Sequence, residues 1–276
     1  MIDQTTAIFC IVDDMLQGLR WQEDSRRQSS DAEVITTALA AALFFGGNQD
    51  KARAALCQTG LIPRMLGKSR FCRRLHKVDD LIARVFLFLG LALKELSASP
   101  RYLVDSFPVA LCDNIRTKRC RLVPRNEAFR GKHASKRRFF YGARVVVVAT
   151  EAGLPVEFAF LPGAAFDVRA YNNLPLALPP GSELFGDTAY VSEELERLAK
   201  EFEAIEVSAC LRRDSVRRQR PEIEARKQII RHPIESVFSG ILSHFGRHVH
   251  AVTFRGFQLK LVLFLLAYSL NKAYCI

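Results

Sequence analysis

Five short segments rich in apolar and β-branched residues follow Pro100, and they constrain the fold more than any other feature of the chain. Short runs of this composition are typical of sheet strands. The turn-like EAGLP between the second and third segments predicts a hairpin, and VSEELERLAKEFE between the fourth and fifth predicts an amphipathic helix. Strands mixed with helices in this way predict an α/β sheet. The predicted strands are YLVDSF, ARVVVVAT, PVEFAFL, SELFGD and AIEVSAC.

The residues before Pro100 have helical patterns instead. Ser30 followed by Glu33 is a capping-box signature ahead of an apolar run that Gly46 ends. A second helix is predicted over VDDLIARVFLFLGLALKELS. Between the two lies the basic segment LGKSRFCRRLHK, which is typical either of a helix-turn-helix-like DNA reader or of a solvated helix face. The C-terminal third is again predicted to be helical.

The charge of the chain bears on its partners, since the formal net charge is +11 over 276 residues. Such an excess favours a polyanionic partner, and charge alone does not separate nucleic acid from anionic membrane. The longest apolar run, Leu261 to Leu270, is about half as long as a bilayer span and predicts a buried helix. The absence of an apparent signal peptide and the scattered cysteines, with no Cys-x-x-Cys pair, favour a reducing cytoplasm.

Three carboxylates occupy positions suited to metal-dependent chemistry. Asp105 and Asp187 end two of the predicted strands, and Glu235 follows Pro233 in the first turn of an apolar-periodic helix. Pro108 is expected to prevent normal continuation of the strand that holds Asp105. Each acid alone also has a purely structural interpretation: Asp105 as a strand-end turn residue, Asp187 as a helix cap and Glu235 as a helix-dipole partner. Together they match a ribonuclease H-like metal site, because Mg²⁺ prefers several anionic oxygen ligands.

From about Asp24 onward the chain resembles the DDE transposases of bacterial insertion sequences, most closely insertion-sequence family 982. The match covers most of the chain and involves many positions. The segments that carry it, in order, are SSDAEVITTALAAALFFGGN, SRFCRRLHK, YLVDSFPVALCDNIR, FRGKHASKRRFFYGARVVVVATEAGLPVEFAFLPGAAFDVRA, GSELFGDTAY, RHPIESVFSGILSHFG and FRGFQLKLVLFLLAYSL.

The resemblance implies a ribonuclease H-like mixed five-stranded sheet with flanking helices, in which Asp105, Asp187 and Glu235 form the DDE triad. It implies two Mg²⁺ ions held by these carboxylates, with Mn²⁺ as a possible substitute. DNA would be hydrolysed at the ends of the element and then joined to target DNA, without a covalent protein intermediate. The expected domains are a helical DNA-binding domain over 1–99 and a catalytic DDE domain over 100–276.

One departure from related insertion-sequence families affects the third acidic block. Those families have a lysine one or two turns after the glutamate, where this chain has the apolar Leu242 and apolar neighbours. We therefore expect Arg231 or Lys260 to make any DNA contact at this point. Asp167 is a further candidate, either as an auxiliary metal ligand or as a loop or cap residue.

Two basic stretches flank the proposed triad. The first, from residue 116 to 138, is interleaved with the aromatic residues Phe129, Phe139, Phe140 and Tyr141, which would stack on unpaired bases if exposed, and Phe140 among them is expected in the core. The second, from 212 to 227, is consistent with a DNA-facing loop or with solvated charge. The predicted DNA-binding residues are Arg70, Arg73, Arg74, Arg116, Arg119, Lys132, Lys136, Arg137, Arg231 and Lys260.

The favoured function is a DNA transposase of an insertion sequence, acting in the bacterial cytoplasm in association with the nucleoid. The alternative is a catalytically inactive or truncated transposase-derived DNA-binding protein, and a third possibility is a stand-alone nuclease. The expected partners are the terminal inverted repeats of the element and target DNA, with no membrane partner. A homodimer on DNA is expected because two element ends must be processed together.

Overall fold

The computed structural model describes residues 1–133, 138–165, 173–211, 215, 217, 219–245 and 249–274. Its contacts divide the chain into two compact units. The helical unit consists of Met1–Leu89 and Gly240–Ile276, and the sheet unit consists of Gly90–Ser239. These limits differ from the expected ranges 1–99 and 100–276, because the C-terminal helix packs with the N-terminal helices. The DNA-binding and catalytic roles assigned to those ranges stay predictions.

The described residues form helices in both units, and several begin where the sequence predicts. Helix α2 starts at the predicted capping box, in which the Ser30 hydroxyl accepts a hydrogen bond from the Glu33 N–H at 3.0 Å. The Glu33 carboxylate accepts one in return from the Ser30 N–H at 2.8 Å. The helices are α1 (Ile2–Gly18), α2 (Asp31–Phe44), α3 (Gln49–Gln58), α4 (Lys68–Lys77), α5 (Asp79–Glu95), α6 (Glu193–Phe202), α7 (Pro221–Arg231), α8 (Pro233–Ser243) and α9 (Phe254–Tyr274).

Helix α2 forms the centre of the helical unit. It is apolar on nearly all sides, and a helix of this kind has to be buried. It packs against α1, α3, α4 and α9. The prediction that Leu261 to Leu270 forms a buried helix is confirmed, since every residue of this run is buried within α9. Within the described part of the chain, no helix has both the length and the apolar character that a membrane span requires.

The sheet unit contains the predicted mixed sheet. Strand β3 is antiparallel to β1 on one side and to β2 and β4 on the other, whereas β5 and β6 continue the sheet beyond β1 in parallel. The strands are β1 (Arg101–Cys112), β2 (Arg130–His133), β3 (Arg138–Thr150), β4 (Pro155–Pro162), β5 (Glu183–Gly186) and β6 (Glu206–Ala209). All five predicted strands are present. The prediction missed β2, a short polar strand that pairs with the start of β3.

The hairpin predicted from EAGLP is also confirmed. Strands β3 and β4 are joined by a turn in which the Thr150 N–H donates to the Leu154 carbonyl at 2.9 Å. Gly153 has a φ of 77°, a left-handed conformation that glycine adopts without a steric penalty. The helix predicted after β5 is α6, which begins at the N-cap residue Ser192.

The expectation that Pro108 ends the first strand is wrong. Strand β1 continues to Cys112, and Pro108 lies opposite Arg144 in the ladder with β3. Among the described strands, β3 alone pairs with β1 beyond Val104, because β5 is short and pairs with residues 101–104. A proline lacks an N–H donor, but it is tolerated where one edge of a strand is open.

Candidate active site

Asp105 lies on β1 at the point where the neighbouring strand β5 ends. Its side chain is largely buried, with 18% of its surface exposed. One carboxylate oxygen, Oδ1, accepts a hydrogen bond from the Ser106 N–H at 2.7 Å, and the other, Oδ2, accepts one from Arg231 Nη2 at 3.0 Å. A buried carboxylate requires such partners, since an isolated charge in an apolar core is costly.

Asp187 reaches the same place from the adjacent strand. The parallel register pairs Val104 with Gly186, so that Asp105 and Asp187 each follow a residue of one matched pair. Gly186 permits Tyr190 to pack closely against the end of β5, because a Cβ at position 186 would lie 3.0 Å from the Cβ of the buried Tyr190. The Asp187 side chain accepts a hydrogen bond from the Thr188 N–H at 2.6 Å, as a cap for a short 3-10 helix.

Arg231 joins the two carboxylates. Its Nη2 is 3.0 Å from Asp105 Oδ2, and its Nη1 is 3.7 Å from Asp187 Oδ1. The guanidinium comes from the last residue of α7 and is itself 19% exposed, while the Asp187 side chain is 41% exposed. The Nε–H of Arg231 is buried and has no hydrogen-bond acceptor among the described residues. The Arg231 guanidinium therefore lies between Asp105 and Asp187, which the register of β1 and β5 brings close together.

The pKa values at this site reflect both burial and charge. Burial raises the pKa of Asp105, and the hydrogen bonds from Arg231 and the Ser106 N–H oppose this rise without cancelling it. Burial acts to lower the pKa of Arg231, but the hydrogen bond to Asp105 and the charges of Asp105 and Asp187 outweigh it and raise the pKa. The arginine thus stays charged, and its charge is what makes the two acids compatible in one place.

Glu235 is not drawn into this cluster. It is exposed in the first turn of α8, and its side chain makes no hydrogen bond within the described structure. Helix α8 is nevertheless fixed to β1, because the rings of Phe238 and Phe107 lie 4.8 Å apart between centroids. Phe107 is two residues beyond Asp105 and therefore shares its face of the sheet. The structure thus places Glu235 on a helix over the face that carries Asp105, without closing the predicted triad.

Comparison with known proteins identifies the family. Residues 98–262, which are more than half of the chain, match the family model described as Transposase DDE domain. The chain belongs to this transposase family. None of the curated proteins and none of the solved structures matches it. The predicted DDE transposase is confirmed at this level, and the closer resemblance to insertion-sequence family 982 stays a prediction.

DDE transposases generally use divalent metal ions, and part of this site fits one. Asp105 and Asp187 already share a cation, and their carboxylates supply the anionic oxygen ligands that Mg²⁺ prefers. Within the described residues, however, no three Asp, Glu, His or Cys side chains are placed to hold a metal ion together. The assignment of Asp105 and Asp187 as metal ligands therefore stays a prediction, and in this structure the two aspartates bind the guanidinium of Arg231.

The predicted DNA-binding residues of the helical unit have different surroundings. Arg70 and Arg73 are exposed on α4, on the side away from its buried residues. Arg74, by contrast, donates two hydrogen bonds to the fully buried Asp31, at 2.6 and 3.0 Å. This placement makes Arg74 a partner of the core rather than a surface cation. Lys260 is partly buried, and burial lowers its pKa while its ammonium group donates to the His250 carbonyl.

The predicted DNA-binding residues of the sheet unit are mostly exposed. Arg116, Arg119 and Lys132 lie on the surface near the far end of the β1–β3 ladder. Phe140 is buried as predicted, while Phe139 is 54% exposed and has the guanidinium of Arg130 5.4 Å from its ring centroid. Lys136 and Arg137 lie outside the described residues, as does the auxiliary candidate Asp167.

Sequence reasoning missed one polar residue beside the site and one elsewhere in the sheet unit. Arg144 on β3 donates to the Ser106 hydroxyl at 3.2 Å and to the Gly163 carbonyl at 3.2 Å, and so fixes the chain beside Asp105. Glu157 on β4 forms a buried ion pair with Lys94 at 2.6 Å. Arg144 and Glu157 are charged residues within strand segments that are otherwise apolar. A charge in such a segment indicates a buried polar contact, and this signal in the sequence could have predicted both residues.

Proposed function

We propose that this DDE transposase cuts DNA at the ends of an insertion sequence and joins the cut ends to target DNA. The observation that carries the proposal is the convergence of Asp105, on β1, and Asp187, at the end of the adjacent strand β5, on one cation. Further support comes from the sheet, in which the antiparallel strands β1, β3 and β4, with the short β2 added, are followed by the parallel strands β5 and β6, since a ribonuclease H-like sheet has three antiparallel strands followed by two parallel ones. We propose that fold for the sheet unit.

The proposed triad is Asp105, Asp187 and Glu235, and it would hold two Mg²⁺ ions, for which Mn²⁺ would substitute. Bound there, the metal would activate the attacking oxygen and stabilise charge on the phosphate and the leaving oxygen. Asp105 and Asp187 supply the fixed part of this site, because strand register sets their positions. Glu235 supplies the movable part, since its side chain is exposed on a helix over the same face.

The proposed reaction consists of two phosphoryl transfers. Water attacks the phosphodiester at the end of the element, a P–O bond breaks, and a DNA 3′-hydroxyl is released. That hydroxyl then attacks a phosphodiester of target DNA, forming one P–O bond while another breaks, and its proton passes to solvent. Each step exchanges one P–O bond for another, so that neither a covalent protein intermediate nor an external energy source is required.

The proposed partners are the terminal inverted repeats and target DNA, bound by a homodimer in the nucleoid. The exposed cations Arg70, Arg73, Arg116, Arg119 and Lys132 support this proposal, since lysine and arginine neutralise DNA phosphates. Lys136 and Arg137 remain DNA-contact proposals because they lie in a basic stretch, and Arg231 and Lys260 because the lysine expected after Glu235 is absent.

Strand transfer by alanine variants tests the catalytic assignment. We expect Asp105→Ala and Asp187→Ala to lower the rate of Mg²⁺-dependent strand transfer of end-containing DNA by more than about a hundredfold, because each removes a metal ligand. Binding of the same DNA in a gel-shift assay should change little. The control is Asp113→Ala, which removes an exposed acid just beyond β1. Normal strand transfer by either site variant would refute the assignment.

The second candidate is a transposase-derived DNA-binding protein without catalysis. The exposed position of Glu235 and the cation already present between the two aspartates favour this candidate. A metal-dependent nicking assay on terminal-repeat DNA separates the two functions, since only the catalytic protein produces nicks. A stand-alone nuclease would produce nicks but no joined product.

A further inference from the structure

The space between Asp105 and Asp187 contains the guanidinium of Arg231, and this arrangement has its own chemistry. Two carboxylates that face one another without a cation repel, and the repulsion is stronger where burial removes water. Arg231 relieves it with a charge-assisted hydrogen bond to Asp105 at 3.0 Å and a longer ion pair with Asp187 at 3.7 Å. The arginine therefore holds the two acids in place when no metal is bound.

The same position is the one that a metal ion would need. A cation shared by both carboxylates has to lie between them, where the guanidinium lies now. The Asp105 Oδ1 and Asp187 Oδ1 atoms already accept hydrogen bonds from the N–H groups of Ser106 and Thr188. These bonds fix the direction in which the remaining oxygen lone pairs point. A positively charged arginine and a divalent ion would repel strongly at this distance.

Arg231 is held in this position mainly by the two acids. Its Nε–H is buried without an acceptor in the described structure, so that one of its five donors is unsatisfied. A side chain with a complete set of local hydrogen bonds would be hard to move. One that depends on two carboxylates is released once another cation neutralises them.

The chain position of Arg231 links its release to the third carboxylate. Arg231 is the last residue of α7, and α8 begins two residues later at Pro233 and carries Glu235. A movement of the chain at the α7–α8 junction therefore displaces the guanidinium and the Glu235 carboxylate together. We propose that Arg231 occupies the metal position of the resting protein and that divalent metal displaces it, which allows Glu235 to complete the site. This inference rests on the proposed metal site at Asp105 and Asp187.

Direct binding of Mn²⁺ to the full chain, followed by electron paramagnetic resonance of the free ion, tests the inference without an activity assay. We expect Arg231→Gln to bind Mn²⁺ about tenfold more tightly than the wild type, because a competing positive charge is gone. The same variant should unfold at a lower temperature in chelator, since the two carboxylates then repel. Arg226→Gln is the control, since it removes an exposed arginine from the same helix. We expect it to change the Mn²⁺ affinity by less than about twofold and the unfolding temperature by less than about 1 °C.

Two further variants make every outcome informative. Arg231→Lys keeps the positive charge but replaces the planar guanidinium by a single ammonium group. Its Mn²⁺ affinity should therefore lie between those of the wild type and Arg231→Gln. This variant still tests the inference if Arg231→Gln folds poorly. Asp105→Asn should abolish Mn²⁺ binding. Binding that depends on Asp105 but is unchanged or weaker in both Arg231 variants would overturn the displacement by metal and leave the proposed function standing. Failure of wild type and variants alike to bind Mn²⁺ would remove the proposed metal site, and this inference with it.

Discussion

Removal of one partner from the buried ion pair between Lys94 and Glu157 should destabilise the sheet unit more than most single substitutions do. The two side chains are 6% and 0% exposed, and Lys94 Nζ lies 2.6 Å from Glu157 Oε1. The pair also fixes the chain that leads to β5. Lys94 donates to the Ala177 carbonyl at 2.9 Å, and the second oxygen of Glu157 accepts from the Leu176 N–H at 2.8 Å. Leu176 has a φ of 47°, a conformation that a leucine adopts only when its surroundings enforce it.

We expect Lys94→Met to lower the free energy of unfolding by about 3–5 kcal/mol, because it leaves the Glu157 carboxylate buried and without its counter-ion. For a unit of this size, 1 kcal/mol corresponds to about 2–4 °C, so the melting temperature should fall by about 6–20 °C. Circular dichroism during heating measures the change. Lys200→Met is the matched control, since Lys200 is exposed on α6, and we expect it to shift the melting temperature by less than about 2 °C.

A double variant separates the loss of the pair from the loss of lysine packing. Lys94→Met combined with Glu157→Gln leaves no charge buried at this position, and the glutamine carbonyl oxygen can still accept from the Leu176 N–H. We expect the double variant to regain at least about 2 kcal/mol relative to Lys94→Met alone, because replacing both charges of a buried pair costs far less than removing one. A double variant no more stable than the single one would refute this reasoning, as would a Lys94→Met protein that melts with the wild type.

Two other predictions concern the exposed surface and DNA. Arg73→Gln should weaken DNA binding and reduce the slope of log affinity against log salt by about 1, without changing the melting temperature, because its side chain is exposed. Arg74→Gln should instead lower the melting temperature measurably, because it leaves the buried Asp31 with one cation fewer; equal stability of the two variants would contradict this division. Phe139→Ala should weaken binding of single-stranded DNA by about fivefold or more, since base stacking on an aromatic ring contributes about 1–3 kcal/mol. Phe202→Ala, at an exposed phenylalanine on α6, is the control, and equal losses in both variants would show that Phe139 has no specific role.

Much of the sheet could be predicted because local composition marks its strands. The runs that became β1, β3 and β4 are apolar and β-branched, and most of their residues are buried. Strand β2 was missed because RGKH has neither alternation nor apolar residues, and only its pairing with β3 makes it a strand. The continuation of β1 through Pro108 depends on how short β5 is, and this is a property of the sheet rather than of the strand.

The candidate site, like the sheet, could be predicted where it depends on local sequence and not where it depends on tertiary packing. The positions of Asp105 and Asp187 could be predicted because Asp105 lies in one recognisable strand and Asp187 follows another, and the family resemblance implied that the two acids share a site. The part played by Arg231 between them could not be predicted, because it depends on where α7 ends relative to two strands. The partnership of Arg74 with Asp31 escaped prediction for a similar reason, since nothing local indicates that a helix-starting aspartate is fully buried.

The arrangement of arginines on α4 affects how this protein can change during evolution. Arg74 is tied to the core through Asp31, whereas Arg70 and Arg73 on the same helix are exposed. Substitutions at exposed helix positions usually change stability by less than about 0.5 kcal/mol. If α4 contacts DNA as proposed, the residues that select its target can vary almost without cost to folding, while the residue that anchors the helix stays constant. Within this one helix, we therefore expect Arg74 to stay constant because folding depends on it, whereas Arg70 and Arg73 can change with each new target sequence.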